Sequence, residues 1–275
     1  MPIETINGAT LAYEVDGSGP PLLLIHGSWS ERTTWGPLLP LLTRRFRVLS
    51  YDRRGHGESA SDPEAGTVHD DVSDAAALIE RLEGPAHVLT SSFGGCIGLR
   101  LAGTRPELVS RMVCHEPPLM GLLDEDPEGE AIVAEERRKL ERTQAFLEQG
   151  DFTTGAEYFV EEMALGPGAW AALPEPIRAN FVRNAPTFLG ELRDPDAMAA
   201  DVETLRQVEA PVLLHNGDQS PPFFAPILER LAAVLPHASR QTLAGAGHTP
   251  QITHAEVYAG VVSGFLLEGA VAGGR

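Results

Sequence analysis

Cysteine is scarce: Cys96 and Cys114 are the only two in 275 residues. Both lie in apolar runs, where free cysteines pack as small hydrophobes. Two are too few for a disulfide framework. Cationic charge is short as well, with 21 lysines and arginines against 39 acidic residues and a formal net charge of −18. An acidic surface repels phosphate backbones and anionic headgroups, so neither nucleic acid nor a membrane is an expected partner. No apolar run approaches the ~20 residues that span a bilayer. The opening MPIETINGATLAYEVDG lacks the basic and apolar regions of a signal peptide. The expected compartment is the cytoplasm. Metal-ligand spacing and a P-loop are also missing, and Gly94-Gly95-Cys96-Ile97-Gly98 is only a poor echo of a dinucleotide turn. No metal and no cofactor are expected.

What is present is an ordinary hydrophobic content of 43%, enough in a chain of this length to bury a large core unaided. Residues 3–15 read as a hairpin turning at Asn7-Gly8. Short apolar runs follow at Pro21–Ile25, Phe46–Tyr51, Ala86–Thr90 and Val109–His115. Helical patterns separate them, near Trp35–Thr43, over Val68–Glu83 and over Ser92–Thr104. Continuously apolar strands imply burial on both faces, hence a parallel sheet between helices. The rhythm stops from about Pro118 to Val208, where no strand pattern is found. It resumes at Pro211–Leu214, Pro222–Leu235, Arg240–Leu243 and Val257–Leu267. The expected organisation is therefore a mostly parallel eight-stranded α/β core from residues 1–117 and 209–275, with 118–208 inserted as a helical lid. Thr253 and Glu256 have the spacing of a capping box for the last helix. The tail from Gly269 to Arg275 is small-residue and expected to be mobile.

The strongest local signal is Val88-Leu89-Thr90-Ser91-Ser92-Phe93-Gly94-Gly95, a strand, a serine and a helix. This is the pattern of a nucleophile elbow, a turn so tight that residues two before and two after the serine must be small. With Ser91 as nucleophile, Phe93 would fall in the crowded place. With Ser92, Gly94 does, and Thr90 stands on the other side. The bland alternative is a serine that caps the helix. A serine hydroxyl needs a base, and His248 on the glycine-rich run Ala244-Gly245-Ala246-Gly247 is the candidate. The oxyanion needs backbone N–H donors: Phe93, and Ser28 in His26-Gly27-Ser28-Trp29, with Trp29 as alternative. His26 reads as a structural hydrogen-bonding residue.

In this order His26-Gly27, the Asp52…Gly55-His56-Gly57…Ser59 turn, the Ser92 elbow and Gly247-His248 resemble the α/β-hydrolase superfamily over nearly the whole chain. The resemblance implies an α/β-hydrolase fold and a serine hydrolase. It implies an acid three residues past Gly217, but Ser220 stands there. Asp218 is close but early, and its plainer role is that of a turn residue. Some members, certain haloalkane dehalogenases among them, keep the acid at the end of the strand after the nucleophile helix. Here that position holds Glu116, in Cys114-His115-Glu116-Pro117-Pro118, and Glu116 is preferred to Asp218. That segment, His248-x-Pro250 and Gly168-Ala169-Trp170 are also similar to zearalenone lactonases. The similarity implies a Ser–Glu–His set and a lid tryptophan, Trp170, packed on substrate; Trp29 is a second candidate substrate contact. Trp170 reads equally as a seal between lid and core.

The implied reaction is cleavage of a small-molecule carboxylic ester or lactone through an acyl-enzyme. Alternatives are carbon–carbon bond hydrolysis on the same residues, or a ligand-binding protein of low turnover. A homodimer is compatible with the sequence.

Overall fold

The computed structural model describes residues 2–59, 66–124 and 127–268; the expected mobile tail lies outside them. Its sheet has eight strands: β1 (Ile3–Ile6), β2 (Ala9–Asp16), β3 (Pro21–Ile25), β4 (Arg47–Tyr51), β5 (Ala86–Ser91), β6 (Val109–His115), β7 (Val212–Gly217) and β8 (Ala238–Leu243). They lie in the order β1-β2-β4-β3-β5-β6-β7-β8. The N-terminal hairpin turns where expected, with Asn7 at φ 48° and Gly8 at φ 81°, as a two-residue turn with positive φ requires. β2 runs antiparallel to β4, and every pairing from β4 to β8 is parallel.

Alternation along each strand separates two cores. Leu23, Ile25, Val88 and Cys114 face the helices Val68–Arg81, Phe93–Thr104 and Phe224–Val234. Leu22, Leu24, Leu89 and Val113 face Trp35, Leu38 and the C-terminal helix Ala255–Leu266. Both cysteines are free and buried, as their apolar runs predict. The helix Val68–Arg81 opens with a capping box between Thr67 and Asp70.

Some elements depart from the sequence reading. The helix near residue 35 is broken into two short turns, Arg32–Trp35 and Leu39–Leu42, because Gly36-Pro37 interrupts it. Thr253 caps nothing: it ends its own short helix, Pro250–Thr253, and its hydroxyl bonds the Thr249 carbonyl at 3.1 Å and His254 Nδ1 at 2.8 Å. β8 begins at Ala238, two residues early, as an exposed edge strand kept polar by Arg240 and Gln241.

Strand order reverses at β4-β3-β5, the switch point of the sheet. Chains leaving β3 and β5 there diverge to opposite faces and leave a crevice at the carboxyl edge. His26-Gly27-Ser28 leaves β3 at this point and Ser92 leaves β5. Between β6 and β7 the described residues hold helices and no strand, chiefly Pro127–Glu148, Phe152–Phe159, Glu175–Arg183 and Ala185–Arg193. Among the described residues no helix is long and apolar enough to cross a membrane.

Candidate active site

Ser92 sits at φ 52° and ψ −125°, a conformation that L-residues avoid and that functional turns retain. Its amide donates to the His115 carbonyl at 2.8 Å, and Gly95 N–H closes the turn on the Ser92 carbonyl at 2.7 Å. The helix passes very close to β3. A Cβ on Gly94 would lie 2.3 Å from the Ile25 carbonyl oxygen, and one on Gly27 would lie 2.8 Å from Ser92 Cβ. Thr90 is tolerated at the other crowded position because Gly98 leaves room for its Cγ2; a Cβ on Gly98 would come within 2.8 Å of it. Although Ser92 occupies the N-cap position, its hydroxyl makes no capping bond, which removes the bland reading of this serine.

Glu116 follows β6 directly, at φ 47°. Its Oε1 accepts the Gly217 N–H at 2.9 Å and its Oε2 lies 2.5 Å from His248 Nδ1. Burial pushes the Glu116 carboxyl up, but the imidazoles of His115 and His248 outweigh it and hold the group at about 2. The structure thus brings Glu116, not Asp218, to the histidine. Asp218 Oδ1 instead accepts the Gly245 N–H at 2.8 Å and braces the glycine loop that carries His248. Phe224 stacks on the His248 ring, 4.8 Å between centroids and 11° between planes.

A buried pair supports this side from below. His115 Nε2 contacts the His248 carbonyl at 3.1 Å, and His115 Nδ1 lies 2.9 Å from His215 Nδ1. A carbonyl only accepts, so His115 carries its proton on Nε2 and takes a hydrogen bond from His215 on Nδ1. Burial lowers His115 to about 4 and His215 to about 3, so both are neutral at pH 7. Among the described residues the one group able to gather three metal-ligating atoms is His115, Glu116 and His248. Their mutual hydrogen bonds already account for that arrangement.

The oxyanion side is assembled differently. Among the described residues the amides of Ser28 and Phe93 make no internal hydrogen bond, which leaves them open to a ligand. His26 plays the structural role expected of it, donating from Nδ1 to the Gly27 carbonyl at 2.8 Å and accepting the Arg53 amide on Nε2 at 3.0 Å. The Ser28 hydroxyl donates to Glu191 Oε2, and Arg53 Nη2 reaches both Glu191 Oε1 at 2.9 Å and Asp71 Oδ2 at 2.8 Å. The Arg53 guanidinium lies 4.6 Å over the Phe93 ring. Burial raises the Glu191 carboxyl against the pull of Arg53 and Ser28.

Trp29 is 1% exposed and sits at φ 58°. Its ring stacks on Phe159 at 5.0 Å and meets Phe188 at 4.8 Å. Trp170 shares this apolar cluster, meeting Phe181 edge-on at 6.4 Å. Trp29 thus packs the core loop against the insert, and the Trp170 ring packs within the insert. A crevice of about 370 Å³, counting its open mouth, lies between Arg53, His56, Phe93, Thr187 and Glu191. Neither Ser92 nor His248 lines it; both are half-buried, the His248 side chain 14% exposed.

Glu191, Arg53 and the His115–His215 pair escaped the sequence reading. The histidines carry a faint signal, since they pair in register across neighbouring parallel strands, His115 at the end of β6 and His215 within β7. Glu191 carried none: 163 residues separate it from Ser28.

Residues 22–261 match the model of the alpha/beta hydrolase family. The chain belongs to that family. It is 39% identical over 121 residues to the uncharacterized hydrolase YraK of Bacillus subtilis, covering 43% of this chain and 45% of that one, less than half of its length. It is 28% identical over 269 residues to the pimeloyl-(acyl-carrier protein) methyl ester esterase of Aliivibrio salmonicida, covering 94% and 96%. The fold superposes on the enol-lactonase from Burkholderia xenovorans with a TM-score of 0.78, at 21% identity and over 96% and 99% of the two chains.

Proposed function

We propose that this hydrolase cleaves a carboxylic ester or lactone through an acyl-enzyme on Ser92. One observation carries the reading: a strained serine stands at the sheet's switch point, on an edge where a buried carboxylate holds a histidine through Nδ1. That hydrogen bond fixes the tautomer whose Nε2 lone pair can accept a proton. His248 Nε2 takes the Ser92 proton as Oγ attacks the carbonyl carbon. The oxyanion is met by the amides of Phe93 and Ser28. His248 returns the proton to the departing alkoxide; in a lactone this oxygen stays tethered to the acyl group. Water, deprotonated by His248, then attacks the acyl-enzyme and releases the acid. Glu116 stabilises the imidazolium without taking its proton. The ester-cleaving relative and the enol-lactonase support this substrate class.

In the same reading the helical insert is a lid. Ser92 is half-buried while the insert is seated, and access to it widens when the insert lifts and Trp29 parts from Phe159 and Phe188. The test is stopped-flow hydrolysis of p-nitrophenyl acetate. A burst equal to the enzyme concentration is expected, and it should vanish in Ser92→Ala. Turnover that survives Ser92→Ala rejects the proposal. Cleavage of a vinylogous dienone acid with none of esters would move the reaction to carbon–carbon bonds.

A further inference from the structure

The two halves of the oxyanion site are held by different parts of the molecule. The Phe93 amide belongs to the nucleophile helix, whose position is set within the core by Gly94 against Ile25. Ser28 and Trp29 are held from outside it. The Ser28 hydroxyl ends on Glu191, in the helix Ala185–Arg193. The Trp29 ring is enclosed by Phe159 and Phe188, and the Trp29 carbonyl accepts from Asn180 Nδ2 at 3.5 Å. Glu191 is 8% exposed. Its other oxygen is bound by Arg53, whose backbone amide reaches His26, and His26 in turn holds the Gly27 carbonyl. The loop Gly27–Ser28 is thus gripped by its carbonyl from the core and by its hydroxyl from the insert.

We propose that Glu191 is a positioning residue for the oxyanion hole: it aims the Ser28 amide through the Ser28 hydroxyl, so the hole is complete only while the insert is seated. The inference rests on the serine-hydrolase reading above. It goes beyond that reading by coupling the seating of the insert to the chemical step. A hole finished by closure stabilises the transition state after substrate is enclosed and not before. Glu191 touches no reacting atom. Its effect passes through one hydroxyl, which Ser28→Ala deletes while leaving the amide donor in place.

The experiment measures kcat and KM with p-nitrophenyl acetate for the intact chain carrying Ser28→Ala, Glu191→Ala or both. Inhibition by an aryl trifluoromethyl ketone, whose adduct on serine presents an oxyanion, is measured beside them. Each single variant should lower kcat by about 10- to 100-fold with little change in KM, since a misaimed donor forfeits part of the ~100-fold or more that such a donor supplies. The double variant should be no worse than the worse single one. The inhibition constant should rise in step with the fall in kcat/KM. A merely structural role of Glu191 predicts otherwise: Ser28→Ala within twofold of wild type, or effects that multiply, and either result overturns the proposal. Should Glu191→Ala fail to fold, Glu191→Asp shortens the reach by one methylene while keeping a charge for Arg53. It should match Ser28→Ala, and wild-type kcat in that variant overturns the proposal. Ser92→Ala separates the two levels. If it retains turnover, both readings fall; if it is inert while Ser28→Ala is unaffected, only the role of Glu191 falls.

Discussion

The two sides of this active site are built on opposite plans. On the acid–base side every support of His248 comes from the core: Glu116 and His115 at the end of β6, Gly217 and His215 at the end of β7, and Phe224 at the start of the next helix. On the oxyanion side Ser28 and Trp29 lean on Glu191, Phe159 and Phe188 of the insert. Parallel strand ends fix the first side as rigidly as the sheet itself. The second depends on the helices of the insert. In the proposed reaction, proton transfer is prepared in advance and charge stabilisation waits on the insert.

The largest expected effect breaks the acid–base side alone. Glu116→Gln should reduce kcat by about 10⁴-fold, because the Gln amide NH₂ facing His248 Nδ1 favours the wrong tautomer. The insert should stay seated, which near-UV circular dichroism of the aromatic cluster would show. Retained activity would remove Glu116 from the mechanism. Acidification tests the rigidity of both sides at once. His26, His115 and His215 are buried with values lowered to about 3, 4 and 3. Unfolded, each titrates at its ordinary value of about 6.5 and binds a proton that the native state refuses between pH 6.5 and 4. Stability is therefore present above pH 6.5 and falls on acidification, by about 1.4 kcal/mol per pH unit for each such histidine. Denaturant melts at pH 7 and pH 5 measure the slope; a flat profile would mean that these rings are charged in the native state. Next, Gly94→Ala forces a Cβ to 2.3 Å from the Ile25 carbonyl. It should destabilise the core by about 3 kcal/mol in a chemical melt; a wild-type midpoint would show that β3 and the nucleophile helix can move apart. The smallest effect belongs to Asp218→Asn. The loop brace survives in part because the Asn carbonyl can still accept from Gly245, so kcat should fall less than tenfold. A collapse like that of Glu116→Gln would make Asp218 the acid.

Much of the core was legible because its information is local. The Asn7-Gly8 turn, the continuously apolar β3 to β6, the Thr90–Gly95 elbow and Gly247-His248 are each read within a window of ten residues. Misreadings arose where local signals competed, as when Thr253 met capping-box spacing but was already spent on the preceding helical turn. The preference for Glu116 over Asp218 came from resemblance, since two carboxylates at strand ends cannot be ranked by spacing. Their geometry ranks them, because only Glu116 lies against His248 Nδ1. Trp29 and Trp170 share one apolar cluster of the structure, and no local pattern in the sequence distinguishes packing from substrate contact for either ring.

The sequence by itself determined the strand–helix rhythm, the strained serine and the histidine loop, for these follow from hydrophobic period, small residues and glycine placed next to one another. Only the tertiary structure decided which acid meets the histidine and which residue holds Ser28. Both are contacts across more than a hundred residues, made by side chains whose own neighbourhoods say nothing of their partners. The Ser28–Glu191 contact leaves no trace in any local pattern, because it exists only when the insert folds back over the sheet edge.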